Sequence, residues 1–322
     1  MNFQGKNVLI TGINGFLGTR FAKMFLEEGA HVIGIVRDMN RKSQRKILEK
    51  CSIVSGDIRD KELVQYALSK YEAQYVIHLA AQPIVRICNN DPYSAYMTTV
   101  VGTLNLVESI RIMKNRPDKV IVITSDKAYG PHTKLPYTED SGLVVADTYC
   151  TSKSCEDMVA MSYAITYNLP ITIVRVGNLY GPGDLNISRL VPGSIIRLLS
   201  GVSPMLYTSV GEFIREFVFV DDAVNAFKVL FEKGVSGEAY NIGGTPPMKI
   251  LDVITKIRDM INPDLKINLV DKDFYEIKEQ YLCSDKLQAL GWQPKVFIDE
   301  GLSKSIEWYK EYVATTGLKL TI

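Results

Sequence analysis

The sequence predicts an α/β chain, a doubly wound parallel sheet of the Rossmann type with a smaller carboxyl-terminal α/β substrate lobe. Three observations carry that reading. Short apolar runs alternate with longer amphipathic ones through the first half. Gly12, Gly15 and Gly18 stand between an apolar run and an apolar-periodic segment, the setting of a phosphate-binding turn. Beyond Asn178 the alternation loosens, with Gly181-Pro182-Gly183, Pro192-Gly193, Ser203-Pro204 and Gly243-Gly244-Thr245-Pro246-Pro247 between shorter elements.

In chain order, Asn7 to Ile10 reads as the first strand and Phe16 to Glu28 as a helix stopped by Gly29. His31 to Val36 is the second strand, and further strands follow at Ser52 to Ser55, Tyr75 to His78, Lys119 to Thr124 and Ile171 to Val176. Helices fill the intervals, the two longest near Tyr93 to Met113 and Thr148 to Tyr167. Residues 1–178 are expected to form the dinucleotide-binding domain and residues 179–322 the second lobe. Phe217 to Val220 and Ala239 to Ile242 still read as buried strands, so part of the second half is expected to return to the first domain.

With 322 residues the chain is long enough for more than one core. Its 37 basic and 36 acidic side chains nearly cancel, which removes a global electrostatic case for nucleic acid or a membrane surface. Five cysteines without CxxC spacing, and no metal-ligand pattern with His31, His78 or His132, read as reduced thiols and no metal site. The amino terminus lacks a signal-peptide run and no stretch is apolar enough to span a bilayer, so the expected location is cytoplasmic.

The segment Gly12, Ile13, Asn14, Gly15, Phe16, Leu17, Gly18 is the expected pyrophosphate cradle, where glycine lets the backbone approach and the helix end supplies N–H donors. At the end of the second strand, Arg37 with Arg41 could clamp a 2′-phosphate, while Asp38 could bind a ribose hydroxyl. The expectation favours NADP, with NAD the alternative. Asp57 and Ile58 are expected beside the adenine, and Leu79, Ala80 and Ala81 on the nicotinamide side, with simple strand-end packing the equal alternative for each.

Tyr149 and Lys153 are four residues apart, hence on one face of a helix, where the ammonium favours the phenolate. Ser125, Asp126 and Lys127 follow a strand at its carboxyl end, where doubly wound sheets place their sites. Continued strand geometry would send Asp126 and Lys127 to opposite sides, so a bend after Ser125 is required. A surface ion pair is the plain alternative for those two. His78 reads as a packing histidine, Cys150 lacks a paired base, Phe213, Phe217 and Phe219 suit core packing as well as a nucleotide base, and the basic run from Arg37 to Lys46 suits a solvated face.

With the glycine loop, His78-Leu79-Ala80-Ala81-Gln82 and the Tyr149/Lys153 pair in order, nearly the whole chain resembles the extended short-chain dehydrogenase/reductases that modify nucleotide sugars. Val176-Gly177-Asn178-Leu179-Tyr180-Gly181-Pro182-Gly183, Ile214-Arg215-Glu216-Phe217 and Leu290-Gly291-Trp292-Gln293-Pro294 extend the likeness. Asp126-Lys127, with Tyr149 retained, is nearest to CDP-glucose 4,6-dehydratases. Tyr180-Gly181-Pro182-Gly183-Asp184 and Glu216 depart from that pattern.

The resemblance implies transient oxidation at C4, loss of water across C5 and C6, and a tightly bound, recycled cofactor. It assigns catalysis to Ser125, Asp126, Lys127, Tyr149 and Lys153, the last two also touching the cofactor. It assigns sugar-nucleotide contacts to Gln82, Ser125, Asn178, Arg189 and Arg215, and the two long helices to a homodimer bundle. The other readings are a nucleotide-sugar 4-epimerase and, outside enzymes, a dinucleotide-binding regulator.

Overall fold

The computed structural model describes residues 2–39, 45–132, 134–271 and 277–318. Six strands of the first half are β1 (Asn7–Thr11), β2 (His31–Val36), β3 (Ser52–Ser55), β4 (Tyr75–His78), β5 (Lys119–Ser125) and β6 (Ile171–Val176). Each lies within one residue of its sequence-based bounds, because apolar runs of this length between glycine or polar breaks have few other ways to be buried. The second half contributes β7 (Asn178–Tyr180), β8 (Met205–Tyr207), β9 (Ile214–Arg215), β10 (Phe217–Phe219), β11 (Ala239–Ile242), β12 (Met248–Lys249), β13 (Asn268–Val270) and β14 (Glu279–Gln280).

The main sheet has seven strands in the order β11-β6-β5-β4-β1-β2-β3. All its pairings are parallel, so both faces need helical cover. Strand order reverses between β1 and β4, and their carboxyl ends, Thr11 and His78, lie side by side in register. A crevice at such a reversal is where doubly wound sheets bind ligands. β11 joins the outer edge of β6, although more than sixty residues separate them in the chain.

One apolar cluster runs through both halves: Phe3, Phe21 and Phe25 pack with Val218, Phe227, Phe231 and Trp292. Another, built on Tyr180, Ile195, Phe217, Val253 and Leu302, holds the second lobe. Phe213 sits in a separate small core with Leu206 and Ile254. The three phenylalanines that suited either a base or a core are therefore buried core residues.

The predicted helix near Tyr93 to Met113 is a run of three pieces, Pro92–Tyr96, a π turn Met97–Val101, and Gly102–Ile112. A Cβ on Gly102 would lie 2.7 Å from Ile58, so the glycine lets this helix press on the loop after β3. The other long helix spans Thr148–Thr166, and Asp147 caps it by accepting from the Cys150 N–H. Among the described residues no helix is long and apolar enough to cross a membrane, and no group of His, Cys, Asp or Glu is arranged to hold a metal ion. All five cysteines are free thiols.

Candidate active site

Gly12 has φ +70°, and a Cβ there would meet the Ala80 nitrogen at 3.0 Å. A Cβ on Gly18 would lie 2.3 Å from the Gly12 carbonyl oxygen, so both glycines permit approaches no other residue allows. The helix Phe16–Glu27 begins after Gly15 with no side-chain cap on its first N–H groups. Uncapped donors, a close-packed glycine turn and a strand end in one place fit the pyrophosphate of a dinucleotide. Phe16 is half-buried and Leu17 buried, both against the first core, so they anchor the loop from below.

The Asn14 side-chain amide donates to the Asp38 carbonyl at 3.0 Å, tying the loop to the end of β2. Arg37, 61% exposed, lies 3.9 Å from the Asp57 carboxylate, which also accepts from Arg59. Arg41 lies outside the described residues. Of the expected 2′-phosphate clamp, the described residue Arg37 turns to a carboxylate. Ile58 is buried. Leu79 and Ala80 donate their N–H groups to Thr11 Oγ1 at 3.1 and 3.2 Å, which holds them beside the glycine turn, and Ala81 follows half-buried. Gln82 is fixed by its N–H to Thr99 Oγ1.

β5 delivers Ser125 in extended conformation, and the chain then makes one turn of 3₁₀ helix, Asp126–Tyr129. Ser125 Oγ accepts from the Lys127 N–H at 3.2 Å and donates to Asp126 Oδ1 at 2.8 Å. This is the required bend, and it buries both Asp126 and Lys127 instead of exposing an ion pair. Burial pushes the Asp126 carboxyl upward, against the pull of Lys127, the Ser125 hydrogen bond and Arg215. Its Oδ2 has no hydrogen-bond partner among the described residues.

Tyr149 is buried, with its phenol hydrogen-bonded to Ser125 and within the field of Lys153, Asp126 and Arg189. Its pKa moves up, because burial outweighs the Lys153 charge and the Ser125 hydrogen bond. The expected depression by lysine is present but does not prevail. Lys153 Nζ donates to Glu156 Oε2 at 2.7 Å, so a carboxylate shares its charge. Sequence reading passes over Glu156; the available signal was a carboxylate pair, Glu156-Asp157, just after Lys153.

Behind these groups, Arg175 makes two 2.8 Å bonds to Asp157 and donates to Tyr129 Oη, while Thr124 Oγ1 donates to Asp157. Tyr129 Oη donates to Asn241 Oδ1 at 2.7 Å. The polar brace joins β5, β6, β11 and the helix bearing Tyr149. His78 is buried and held neutral, its pKa lowered to about 3 by burial and by Lys153.

Of the residues assigned to the sugar nucleotide, Arg189 binds Asp184 at 3.1 Å and lies in the field of Tyr149. Arg215 is buried, donates to the carbonyls of Ile214, Ile277 and Lys278, and lies in the field of Asp126. Asn178 is drawn to the same place by donating to the Glu216 carbonyl at 3.2 Å. Glu216 itself is buried and accepts from the Gly244 and Leu282 N–H groups at 2.8 and 2.9 Å.

A doubly wound sheet with a glycine turn at its switch point and a Tyr-x-x-x-Lys pair beside the end of β5 defines a short-chain dehydrogenase/reductase. Residues 8–243 match the profile described as the NAD dependent epimerase/dehydratase family, and the chain belongs to that family. It is 28% identical over 321 residues to a trifunctional UDP-glucose 4,6-dehydratase/UDP-4-keto-6-deoxy-D-glucose 3,5-epimerase/UDP-4-keto-L-rhamnose-reductase of Arabidopsis thaliana, covering 96% of this chain and 48% of that protein. The chain thus spans about half the length of the first curated relatives it matches.

It is 29% identical over 320 residues to the dTDP-D-glucose 4,6-dehydratase of Bos taurus, covering 95% and 89% of the two chains. Among solved structures, UDP-glucose 4-epimerase of Thermotoga maritima with UDP-glucose superposes with TM-score 0.88 at 27% identity, covering 95% and 99%. The dTDP-glucose 4,6-dehydratase DesIV of Streptomyces venezuelae, with NAD bound, gives 0.87 at 27% identity, covering 96% and 98%.

Proposed function

We propose that this chain is a nucleotide-sugar 4,6-dehydratase, converting an NDP-hexose to an NDP-4-keto-6-deoxyhexose. The observation that carries the reading is the buried 3₁₀ turn, which sets Asp126 and Lys127 at the carboxyl end of β5 with Asp126 in the field of Tyr149. When bound, a nicotinamide dinucleotide supplies reversible oxidation and reduction of the sugar carbons. Tyr149 Oη accepts the proton of the C4 hydroxyl, and Ser125 Oγ holds that oxygen in place.

A ketone at C4 acidifies C5, whose proton passes to Lys127 Nζ and is restored to C5 when C6 is reduced at the expense of C4. Asp126, whose hold on a proton is raised by burial, is the group assigned to protonate the C6 hydroxyl, which leaves as water. Its Oδ2, buried without a hydrogen-bond partner among the described residues, is the oxygen assigned to that transfer. Arg215 and Arg189, with Asn178 and Gln82, are assigned to the sugar diphosphate.

NAD is the cofactor proposed, with NADP retained as the alternative under test. Arg37 is engaged by Asp57, Asn14 steadies the Asp38 backbone, and the Streptomyces venezuelae relative carries NAD. Release of only the phosphorylated dinucleotide on denaturation, together with its selective loss in Arg37→Ala, would reverse that choice. Residues 1–178 and 179–322 are assigned to the dinucleotide and the sugar nucleotide respectively, and a homodimer through the two long helices is proposed from their exposed Leu104, Ile112, Met158 and Ile165.

The test is incubation with CDP-, dTDP- and UDP-glucose, followed by mass. CDP-glucose is the first substrate tried because Asp126-Lys127 resembles the CDP-glucose enzymes. Loss of one water without net cofactor consumption is expected. A product of unchanged mass inverted at C4 would assign the chain to the epimerases, a reading favoured by its likeness to the Thermotoga maritima enzyme. Tight binding of a dinucleotide without turnover of any sugar would leave the regulator.

A further inference from the structure

Helical spacing puts Tyr149, Lys153 and Glu156 on one face of Thr148–Thr166, and all three are buried, with Glu156 only 1% exposed. We propose that Glu156 is a positioning residue that acts on Tyr149 through Lys153, tethering the ammonium and offsetting part of the charge it presents to the phenol. The inference rests on the assignment of Tyr149 as the base in the proposed reaction.

The Glu156 carboxylate is fixed on two sides. Oε2 accepts from Lys153 Nζ at 2.7 Å, and Oε1 accepts from Thr103 Oγ1 at 3.3 Å and lies 3.8 Å from His78 Nε2. Thr11 Oγ1 already accepts two backbone N–H groups, so its own proton goes to His78 Nδ1 at 2.7 Å. That assigns the imidazole proton to Nε2, which donates to Thr103 Oγ1 at 2.8 Å. Thr103 in turn donates to the Thr99 carbonyl at 2.6 Å or to Glu156.

A chain of polar contacts therefore runs from the strand end under the glycine turn to the lysine of the acid–base pair, with the Thr103 proton divided between Thr99 and Glu156. Because His78 stays neutral, Lys153 is the cation this carboxylate meets along it. The helix has no structural need of a second buried carboxylate, since Asp157 already takes the bidentate Arg175. Buried ion pairs add little stability over apolar packing, so their presence beside reacting groups asks for another reason.

The charged and titratable neighbours are few. Lys153 faces Glu156, Tyr149, His78 and Cys88. Glu156 faces Lys153, His78 and Asp157. Tyr149 faces Lys153, Asp126 and Arg189. Neutralising Glu156 leaves the ammonium acting on Tyr149 undivided, which favours the phenolate.

In Glu156→Gln the acid limb of the kcat profile should move down by roughly one pH unit, with KM within about twofold of the parent because no substrate contact is lost. Glu156→Asp, which keeps the charge, should return the limb toward the parental position. Ultraviolet difference titration, each protein against its own Tyr149→Phe counterpart, should show the tyrosinate forming at lower pH in Glu156→Gln. A merely structural Glu156 would lower thermal stability and the active fraction without moving either titration.

Parental titrations in a folded Glu156→Gln overturn the proposal. If that variant does not fold, Glu156→Met is the second neutral test; failure of both to fold makes Glu156 a residue of the fold and likewise overturns it. If Tyr149→Phe itself keeps parental activity, the assignment of the base has failed. If Tyr149→Phe is inactive while the Glu156→Gln profile is unmoved, only the inference about Glu156 has.

Discussion

Asp126 and Lys127 are adjacent in sequence yet both buried, because Ser125 caps the turn that redirects them. Their proposed roles separate experimentally. Tyr149→Phe removes the group that takes the C4 proton, so all turnover should fall by about a hundredfold or more while dinucleotide binding survives. Lys127→Ala should abolish exchange of the C5 hydrogen into heavy water, measured by mass, without abolishing C4 oxidation. Parental exchange in that variant would remove Lys127 from the mechanism.

His78 gives a residue-scale pH dependence. Burial, helped by Lys153, lowers its pKa from 6.5 to about 3, so the folded chain binds this proton more weakly than the unfolded chain. Stability from this group is complete above pH 6.5 and is lost as pH falls from there toward about 3. His78→Gln should flatten that part of the acid side of a Tm profile.

At the scale of elements, the two long helices present apolar side chains outward: Leu104 and Ile112 on one, Met158 and Ile165 on the other, the last 68% exposed. Scattered exposed apolar residues are ordinary, but four on two neighbouring helices suit a helical partner surface. Met158→Glu with Ile165→Lys should convert the proposed homodimer to monomers by sedimentation, and an unchanged oligomeric state would place the contact elsewhere. Between β9 and β10, Glu216 ties two distant loops through Gly244 and Leu282. Glu216→Ala leaves both N–H groups without that acceptor, at about 1–3 kcal/mol each, and should lower Tm and weaken the sugar-nucleotide site together.

For the whole molecule, the core does not divide at residue 178. Phe231 packs edge-on to Phe3 at 5.6 Å between ring centroids, and Phe227 to Phe21 at 4.7 Å. Each buried phenylalanine contributes about 1.5–3 kcal/mol, and a domain has only about 5–15 kcal/mol in total. A fragment of residues 1–178 also loses β11 and leaves the edge of β6 unpaired. It should aggregate or lack a cooperative thermal transition; a soluble, cooperative fragment would show that the first half is self-sufficient.

The strands of the parallel sheet, the glycine turn and the Tyr149/Lys153 pair were legible in the sequence because each is local: an apolar run, a glycine spacing, a helical repeat. So was the need for a bend after Ser125. The strand Ala239–Ile242 and a return of part of the second half were expected, but the sequence did not reveal that β6 is its neighbour, that Arg37 turns to Asp57, or that Lys153 is shared with Glu156. These depend on groups brought together from different parts of the chain, or on side-chain directions within a helix. The net direction of the Tyr149 titration was likewise decided only by tertiary structure, since burial and neighbouring charge act through space.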